Sequence, residues 1–150
     1  MRNPALQPLD VLVGEWSLTL TDCWFLESRQ AQQRGHATGR WLADAFVELE
    51  AEMEGVPMWH FVFGRSDANG ELVVLYHDPR PTSRVFRMSV ADGEWALVRE
   101  DPDFHQRFVA HVRPDRIDGR WDASEDGGTT WRKDFDLFFT RNGEGRMPAA

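Results

Sequence analysis

Turn-forming residues recur at short, regular intervals along the chain, and this regular spacing of turns is the feature that most limits its fold. Asn69-Gly70, Asp92-Gly93 and Pro114-Asp115 each separate two runs in which apolar and polar residues alternate. Asn-Gly and Asp-Gly pairs favour tight hairpins, and proline cannot donate to a strand ladder. The pattern predicts ten short strands. We place them at about residues 15–22, 34–43, 45–53, 58–66, 71–77, 83–91, 94–100, 104–112, 116–124 and 130–141.

Ten consecutive strands with short connections favour an up-and-down antiparallel sheet. Closing such a sheet into a barrel removes its exposed edges, and about ten strands leave a lumen. We therefore predict an all-β fold, a single antiparallel β-barrel over residues 15–141. Residues 1–14 are expected to form a helical cap with Leu9, Leu12 and Val13 on one face, and 142–150 a flexible tail. The longest connection, residues 23–33, is expected to hold a short helix or a lid.

Composition and charge restrict the partners. Seven Trp and ten Phe among 150 residues can fill a core, and the net charge of -8 argues against nucleic acid or an anionic membrane as partner. No apolar run is long enough for a transmembrane helix, and the start lacks the apolar centre of a signal peptide. A single cysteine, Cys23, excludes an internal disulfide and suits a reducing compartment. We expect a cytoplasmic protein, and a homodimer remains open.

Alternation along the strands separates an inner from an outer face. Glu48, Glu50 and Glu52 alternate with apolar residues, which predicts a solvated outer face rather than an acid pair. On the last strand, Lys133 has the parity of the inward aromatic residues, whereas Arg132 and Asp134 have the outward parity.

A few inward polar groups in an apolar cavity are typical of small-molecule sites. The predicted ligand-binding residues are Arg99, Gln106, Tyr76, His60, Trp95 and Phe108. Arg99, Gln106 and Tyr76 would anchor a small, largely apolar or amphipathic, anionic ligand, and His60 is expected to be the most buried histidine. The alternative for Arg99 and Lys133 is a strand-end position from which each reaches solvent.

The histidines and acidic residues show no metal-binding spacing. His105 and His111 are six residues apart on one strand, about 20 Å, and cannot share an ion. We predict no metal, no cofactor and no catalytic residue.

The segment Ser124-Glu125-Asp126-Gly127-Gly128-Thr129-Thr130-Trp131 matches the Asp-box pattern of sialidases. A single copy on a chain of this kind predicts a stabilised hairpin turn rather than a glycosidase. Asp126 would accept from backbone N–H groups and Gly128 would adopt a positive φ.

The entry to the first strand carries Gly14-Glu15-Trp16, and the last strand ends at Arg141. A Gly-x-Trp motif at the start of a barrel, together with a basic residue on the last strand, is typical of the way lipocalin or calycin barrels close. We predict that the Arg141 guanidinium stacks on the Trp16 ring within about 6 Å.

Further segments carry a broader resemblance, namely Gly35-His36-Ala37-Thr38-Gly39-Arg40-Trp41, Ser83-Arg84-Val85-Phe86-Arg87 and Asp103-Phe104-His105-Gln106. With them, residues 10–141 resemble a family of small, uncharacterised bacterial domains with a lipocalin-like, ten-stranded fold. This resemblance implies the fold and transfers no catalytic residue. Nitrobindin is similar in architecture and binds heme through a late histidine. No histidine follows His111 here, and Ser17-Leu18-Thr19 replaces the family's glycines after Trp16, so heme is not expected.

These observations favour a ligand-binding barrel. One alternative is an isomerase, cyclase or hydrolase on the same scaffold that uses His60 or Tyr76 as acid or base. Another is a dimeric interaction module with a large exposed aromatic patch.

Overall fold

The computed structural model describes residues 1–142. A 3₁₀ helix, Pro4–Leu12, precedes ten strands. The strands are β1 (Gly14–Thr21), β2 (Gln33–Leu42), β3 (Phe46–Met53), β4 (Val56–Arg65), β5 (Leu72–Asp78), β6 (Thr82–Ala91), β7 (Glu94–Glu100), β8 (His105–Arg113), β9 (Arg116–Ser124) and β10 (Arg132–Arg141).

The strands form one closed barrel in which each strand pairs with its neighbours in the sequence and β1 pairs with β10. All the pairings are antiparallel, as hairpin connections require. The predicted all-β barrel is therefore confirmed. Every predicted strand overlaps an observed one, and β7 and β9 have the predicted bounds.

The N-terminal helix is a 3₁₀ helix rather than a helix with an α-type face. Leu6, Leu9 and Leu12 are almost completely buried, and Val13 caps the helix instead of joining its apolar face. Three residues per turn place every third side chain on one line, which selects these leucines. Pro8 lies inside the helix and has no N–H to donate, so one backbone hydrogen bond of a regular helix is missing at this position.

The barrel is solid at the end that the helix covers. Large rings from opposite walls meet there and are almost inaccessible to water; they belong to Trp16, Phe63, Trp95, Phe108 and Phe139. The Trp95 ring lies edge-on to the Phe108 ring at 4.9 Å, a favourable aromatic geometry. The lumen predicted from strand number is thus limited to the opposite half of the barrel.

The predicted pairing between the first and last strands is present at this solid end. Trp16 and Arg141 are register partners, and the guanidinium carbon lies 4.1 Å from the centre of the indole ring. The guanidinium also donates to the carbonyl oxygens of Val11, Val13 and Pro114, each at 2.7 Å. Arg141 therefore joins the helix, β1 and the β8–β9 turn.

The register of β10 contains a bulge between Lys133 and Phe135, which corrects the predicted faces of this strand. The extra residue reverses the alternation on its N-terminal side. Lys133 consequently faces outward, where its ammonium group donates to Asp22 and Asp136 at 2.8 and 2.7 Å. Arg132 and Asp134, predicted to face outward, line the lumen instead.

The connection between β1 and β2 contains turns and bends, so of the two expected structures, a short helix or a lid, the helix is not formed. Its aromatic residues Trp24 and Phe25 lie against the open end of the barrel. Residues 143–150, most of the predicted tail, lie outside the described residues. Among residues 1–142, no helix has both the length and the apolar character needed to cross a bilayer.

Candidate functional site

A cavity of about 540 Å³ occupies the barrel half opposite the Trp16–Arg141 contact. Its walls are mainly aromatic because inward positions at this end of the strands carry rings. The cavity-lining rings are those of Trp24, Phe25, Trp59, Phe61, Tyr76, Phe86, Phe104, Trp121 and Phe135. Several of them pack edge-to-face or tilted, such as Phe86 on Trp121 at 5.7 Å. Such walls suit a planar apolar group.

Arg84 enters this cavity from β6, two residues before the inward Phe86. Its guanidinium lies 5.5 Å from the centre of the Tyr76 ring and 5.0 Å from that of Phe104. Its Nη1 donates to Gln106 Oε1 at 3.3 Å. Burial lowers the pKa of Arg84, yet a guanidinium stays protonated at neutral pH.

The other cations of the cavity already have carboxylate partners. Arg80 donates to both oxygens of Asp78, and the Tyr76 hydroxyl donates to Asp78 at 2.7 Å. Burial alone would raise the pKa of Asp78, but the hydrogen bonds from Arg80 and Tyr76 hold it below its usual range. Burial, followed by the hydrogen bond to Asp78, raises the pKa of Tyr76 to about 12.

A second paired cation lies on the opposite wall. Arg132 contacts Asp134 at 2.8 Å and its guanidinium lies 4.9 Å from the centre of the Trp24 ring. The Trp24 indole N–H donates to Asp134 at 3.0 Å. Arg132 also approaches Glu125 at 3.6 Å. By contrast, no carboxylate of residues 1–142 lies within 4 Å of the Arg84 guanidinium, so Arg84 is a cavity cation without a salt bridge.

The residues predicted from sequence fall into four places. Gln106 and Tyr76 line the cavity. Arg99 has the predicted inward parity and lies beside it, where it contacts Asp103 at 3.0 Å and covers the Phe104 ring at 4.4 Å.

Three other predicted positions are corrected. Trp95 and Phe108 are 1% exposed and lie in the solid half of the barrel, because facing rings fill that end completely. His60 was expected to be buried, but it lies on the outer face of β4 with 35% of its side chain exposed. Its neighbours Trp59 and Phe61 take the inward positions, and alternation turns His60 outward.

Sequence reasoning missed Arg84, Arg132 and Asp134 as cavity residues. For Arg84 a signal was present, since it shares parity with Phe86 and Met88 on one strand. For Arg132 and Asp134 simple alternation pointed the wrong way, because the bulge in β10 is not visible in the local pattern.

The Asp-box segment forms the expected turn. Asp126 Oδ1 accepts from the Thr130 N–H and the Ser124 hydroxyl, both at 2.8 Å, and Gly128 has a φ of +91°. The Trp131 indole donates to the Gly128 carbonyl at 3.1 Å. These contacts satisfy the turn's own polar groups, as predicted for a structural role.

The cavity does not fit a heme ligated by histidine. The side chains that line it include no histidine, and His60 and His77 lie by a hollow on the outer face of the barrel. In residues 1–142, then, an iron in the cavity would find no imidazole on its walls.

Fold and cavity together define a closed ten-stranded antiparallel β-barrel with an aromatic lumen open at one end, an architecture compatible with ligand binding. A solved protein with a similar fold is Rv2717c from M. tuberculosis, whose crystal structure superimposes with a TM-score of 0.65 over 95% of this chain and 100% of that chain. The sequence identity is 13%, so the likeness concerns the fold. No protein-family model and no curated protein matches the chain.

Proposed function

We propose that this protein is a lipocalin-like carrier that binds a small amphipathic anion, with an aromatic body in the lumen and its acidic group on Arg84. The observation that carries the proposal is the Arg84 guanidinium, which lies inside the cavity without a carboxylate partner among residues 1–142. A partly desolvated cation without a counter-ion is costly, and an anionic ligand would offset that cost.

The geometry around Arg84 favours an acceptor that binds two N–H groups at once. The guanidinium carbon lies near the rings of Tyr76 and Phe104, and among residues 1–142 Arg84 makes one side-chain hydrogen bond, to Gln106, so its other N–H groups are available to a ligand. A planar fork of N–H donors matches carboxylate or sulfonate oxygens. Gln106, which takes one bond from Arg84 at 3.3 Å, can turn its amide N–H₂ toward the same ligand oxygen.

The rest of the cavity supports an apolar, planar body for the ligand. The rings of Phe61, Phe86 and Trp121 form walls on different sides, and the volume of about 540 Å³ falls within the range of small-molecule sites. Tyr76 gives little support to the enzyme alternative. Its pKa is raised to about 12, so at neutral pH its hydroxyl stays protonated and cannot accept a proton from a substrate.

The test uses anilinonaphthalene sulfonate as a fluorescent reporter, displaced by naphthoate or by its neutral amide, naphthamide. We expect saturable binding of the reporter and preferential displacement by naphthoate. Arg84→Met should weaken naphthoate binding by about 10–100-fold, the equivalent of a charged hydrogen bond worth about 1.5–3 kcal/mol, and leave naphthamide binding nearly unchanged.

Arg87→Met is the matched control. Arg87 belongs to the same strand but faces outward, where it pairs with Glu100. We expect the Arg87→Met variant to bind naphthoate and naphthamide with the affinities of the unsubstituted protein. Equal naphthoate affinity in Arg84→Met and Arg87→Met, or the absence of saturable reporter binding, would contradict the proposal.

A further inference from the structure

The outer face of the barrel carries a second group of chemistry-bearing side chains that the lumen does not use. Glu48 and Glu50 project from β3, and His60 projects from the adjacent β4. One ligand atom from each of these three side chains lies within 4.8 Å of the others. We propose that Glu48, Glu50 and His60 form a binding site for a divalent cation of the zinc class.

The distances between donor atoms match those that a tetrahedral ion imposes. Zinc binds imidazole nitrogen and carboxylate oxygen at about 2.0–2.2 Å, which separates neighbouring ligand atoms by about 3.3 Å. His60 Nε2 lies 2.9 Å from Glu48 Oε2 and 3.8 Å from Glu50 Oε1. These two separations bracket the required one, so small rotations of the accessible His60 and Glu50 side chains are enough to admit an ion.

The burial of Glu48 distinguishes this group from an ordinary acidic surface. Its side chain is only 7% exposed, although the strand alternation places it on the outer face. A buried carboxylate needs cationic partners, and here Arg40 holds one oxygen while His60 contacts the other. The oxygen that contacts His60 therefore already points into the position that an ion would occupy.

A hollow beside the group provides the remaining coordination position. Glu50, His60 and His77 line this hollow on the barrel's outer face. His60 and His77 are register partners on β4 and β5, and their ring centres are 6.4 Å apart. Three protein ligands with the fourth position open to water is the arrangement of zinc sites that can accept a further ligand.

Arg40 would compete with the ion for the carboxylates of Glu48 and Glu50. It contacts Glu48 and also approaches Glu50 at 3.3 Å, so it neutralises the same carboxylates. Because 52% of its side chain is exposed, its guanidinium can swing into solvent when an ion binds. Removal of Arg40 should then strengthen the binding of a cation, a result that non-specific binding to surface carboxylates does not predict.

The experiment is calorimetric titration of the purified protein with zinc chloride, paired with the visible absorption spectrum of the cobalt-loaded protein. We expect one zinc ion per chain and the cobalt bands of a four- or five-coordinate site. His60→Ala and Glu50→Gln should each weaken zinc binding at least about tenfold, whereas Arg40→Gln should strengthen it.

His111→Ala is the control, since His111 is an exposed histidine on the outer face of the distant β8. It should bind zinc like the unsubstituted protein. Glu50 is half exposed, so Glu50→Gln tests the site even where His60→Ala fails to fold. Zinc binding that is absent, that lacks a one-to-one ratio, or that is equal in Glu50→Gln and His111→Ala would overturn the proposal.

Discussion

The contact between Arg141 and Trp16 allows a sharp test of how the barrel is closed. Arg141→Ala removes a guanidinium that lies 4.1 Å from the centre of a completely buried indole ring. It also removes three hydrogen bonds to the carbonyl oxygens of Val11, Val13 and Pro114. These carbonyls belong to the helix end and to the β8–β9 turn, so the substitution loosens two connections at once.

The size of the effect follows from these contacts. A cation–π contact contributes about 0.5–2 kcal/mol, and a hydrogen bond from a charged donor about 1.5–3 kcal/mol. The contributions do not add fully, and water can reach the partly buried Arg141 and replace part of the hydrogen bonding. We expect Arg141→Ala to lower the free energy of unfolding by about 3 kcal/mol.

Guanidinium denaturation followed by tryptophan fluorescence and circular dichroism measures this loss. A decrease of about 3 kcal/mol corresponds to a midpoint lowered by roughly 0.5–1 M. Arg141→Lys keeps the charge but lacks the planar fork, so its midpoint should lie between those of Arg141→Ala and the unsubstituted protein. Reporter binding in the cavity should stay almost unchanged, because the lumen opens at the other end of the barrel.

Arg116→Ala is the matched control for this test. Arg116 lies on the outer surface, pairs with Asp118 at 2.6 Å and approaches the Phe138 ring at 5.4 Å. Exposed pairs of this kind contribute less than about 1 kcal/mol. Equal losses in Arg141→Ala and Arg116→Ala would refute the closure argument, as would loss of reporter binding in Arg141→Ala without any loss of stability.

Three further outcomes can be checked. Burial raises the pKa of the Cys23 thiol to about 11, so the folded protein should react with Ellman's reagent at pH 8 far more slowly than the urea-unfolded chain; equal rates would contradict its burial. Hydrogen bonds from Thr130 lower the pKa of Asp126 to about 2, below its value in the unfolded chain. Its stabilising effect should be present above about pH 4 and lost as the pH falls through 2, so the gap in denaturation midpoint between the unsubstituted protein and Asp126→Asn should shrink over that range; a constant gap would disagree. Gly119→Ala places a Cβ inside the van der Waals radius of the Phe108 ring and should cost about 1–3 kcal/mol; an unchanged melting temperature would show that the ring moves freely.

The strand positions were predictable because their signals are local. Pairs such as Asn69-Gly70 and Asp92-Gly93 adopt turn conformations through their own backbone preferences, and the predicted turns lie between observed strands. Inward and outward faces followed from the period of two wherever a strand is regular, as along β3. The Trp16–Arg141 contact was predictable as well, since a meander that closes must bring its first and last strands together.

The cavity residues were predictable only in part. Gln106 and Tyr76 follow from alternation, whereas Arg132 and Asp134 depend on the bulge between Lys133 and Phe135. A bulge is a property of the pairing of two strands, and a single extra residue exchanges the faces of all residues on one side of it. No local pattern in β10 reveals it.

The sequence by itself determined the barrel, its strand order and the pair that closes it, because turn preference and alternation act over a few neighbouring residues. The tertiary structure decided which half of the barrel is filled and which charges stay without partners. Trp95 of β7 meets Phe63 of β4 and Phe139 of β10 in the solid end, and Arg84 of β6 reaches Gln106 of β8 rather than a carboxylate among residues 1–142. Such outcomes depend on side chains that approach one another across the barrel, and their distances are set by closure rather than by spacing along the chain.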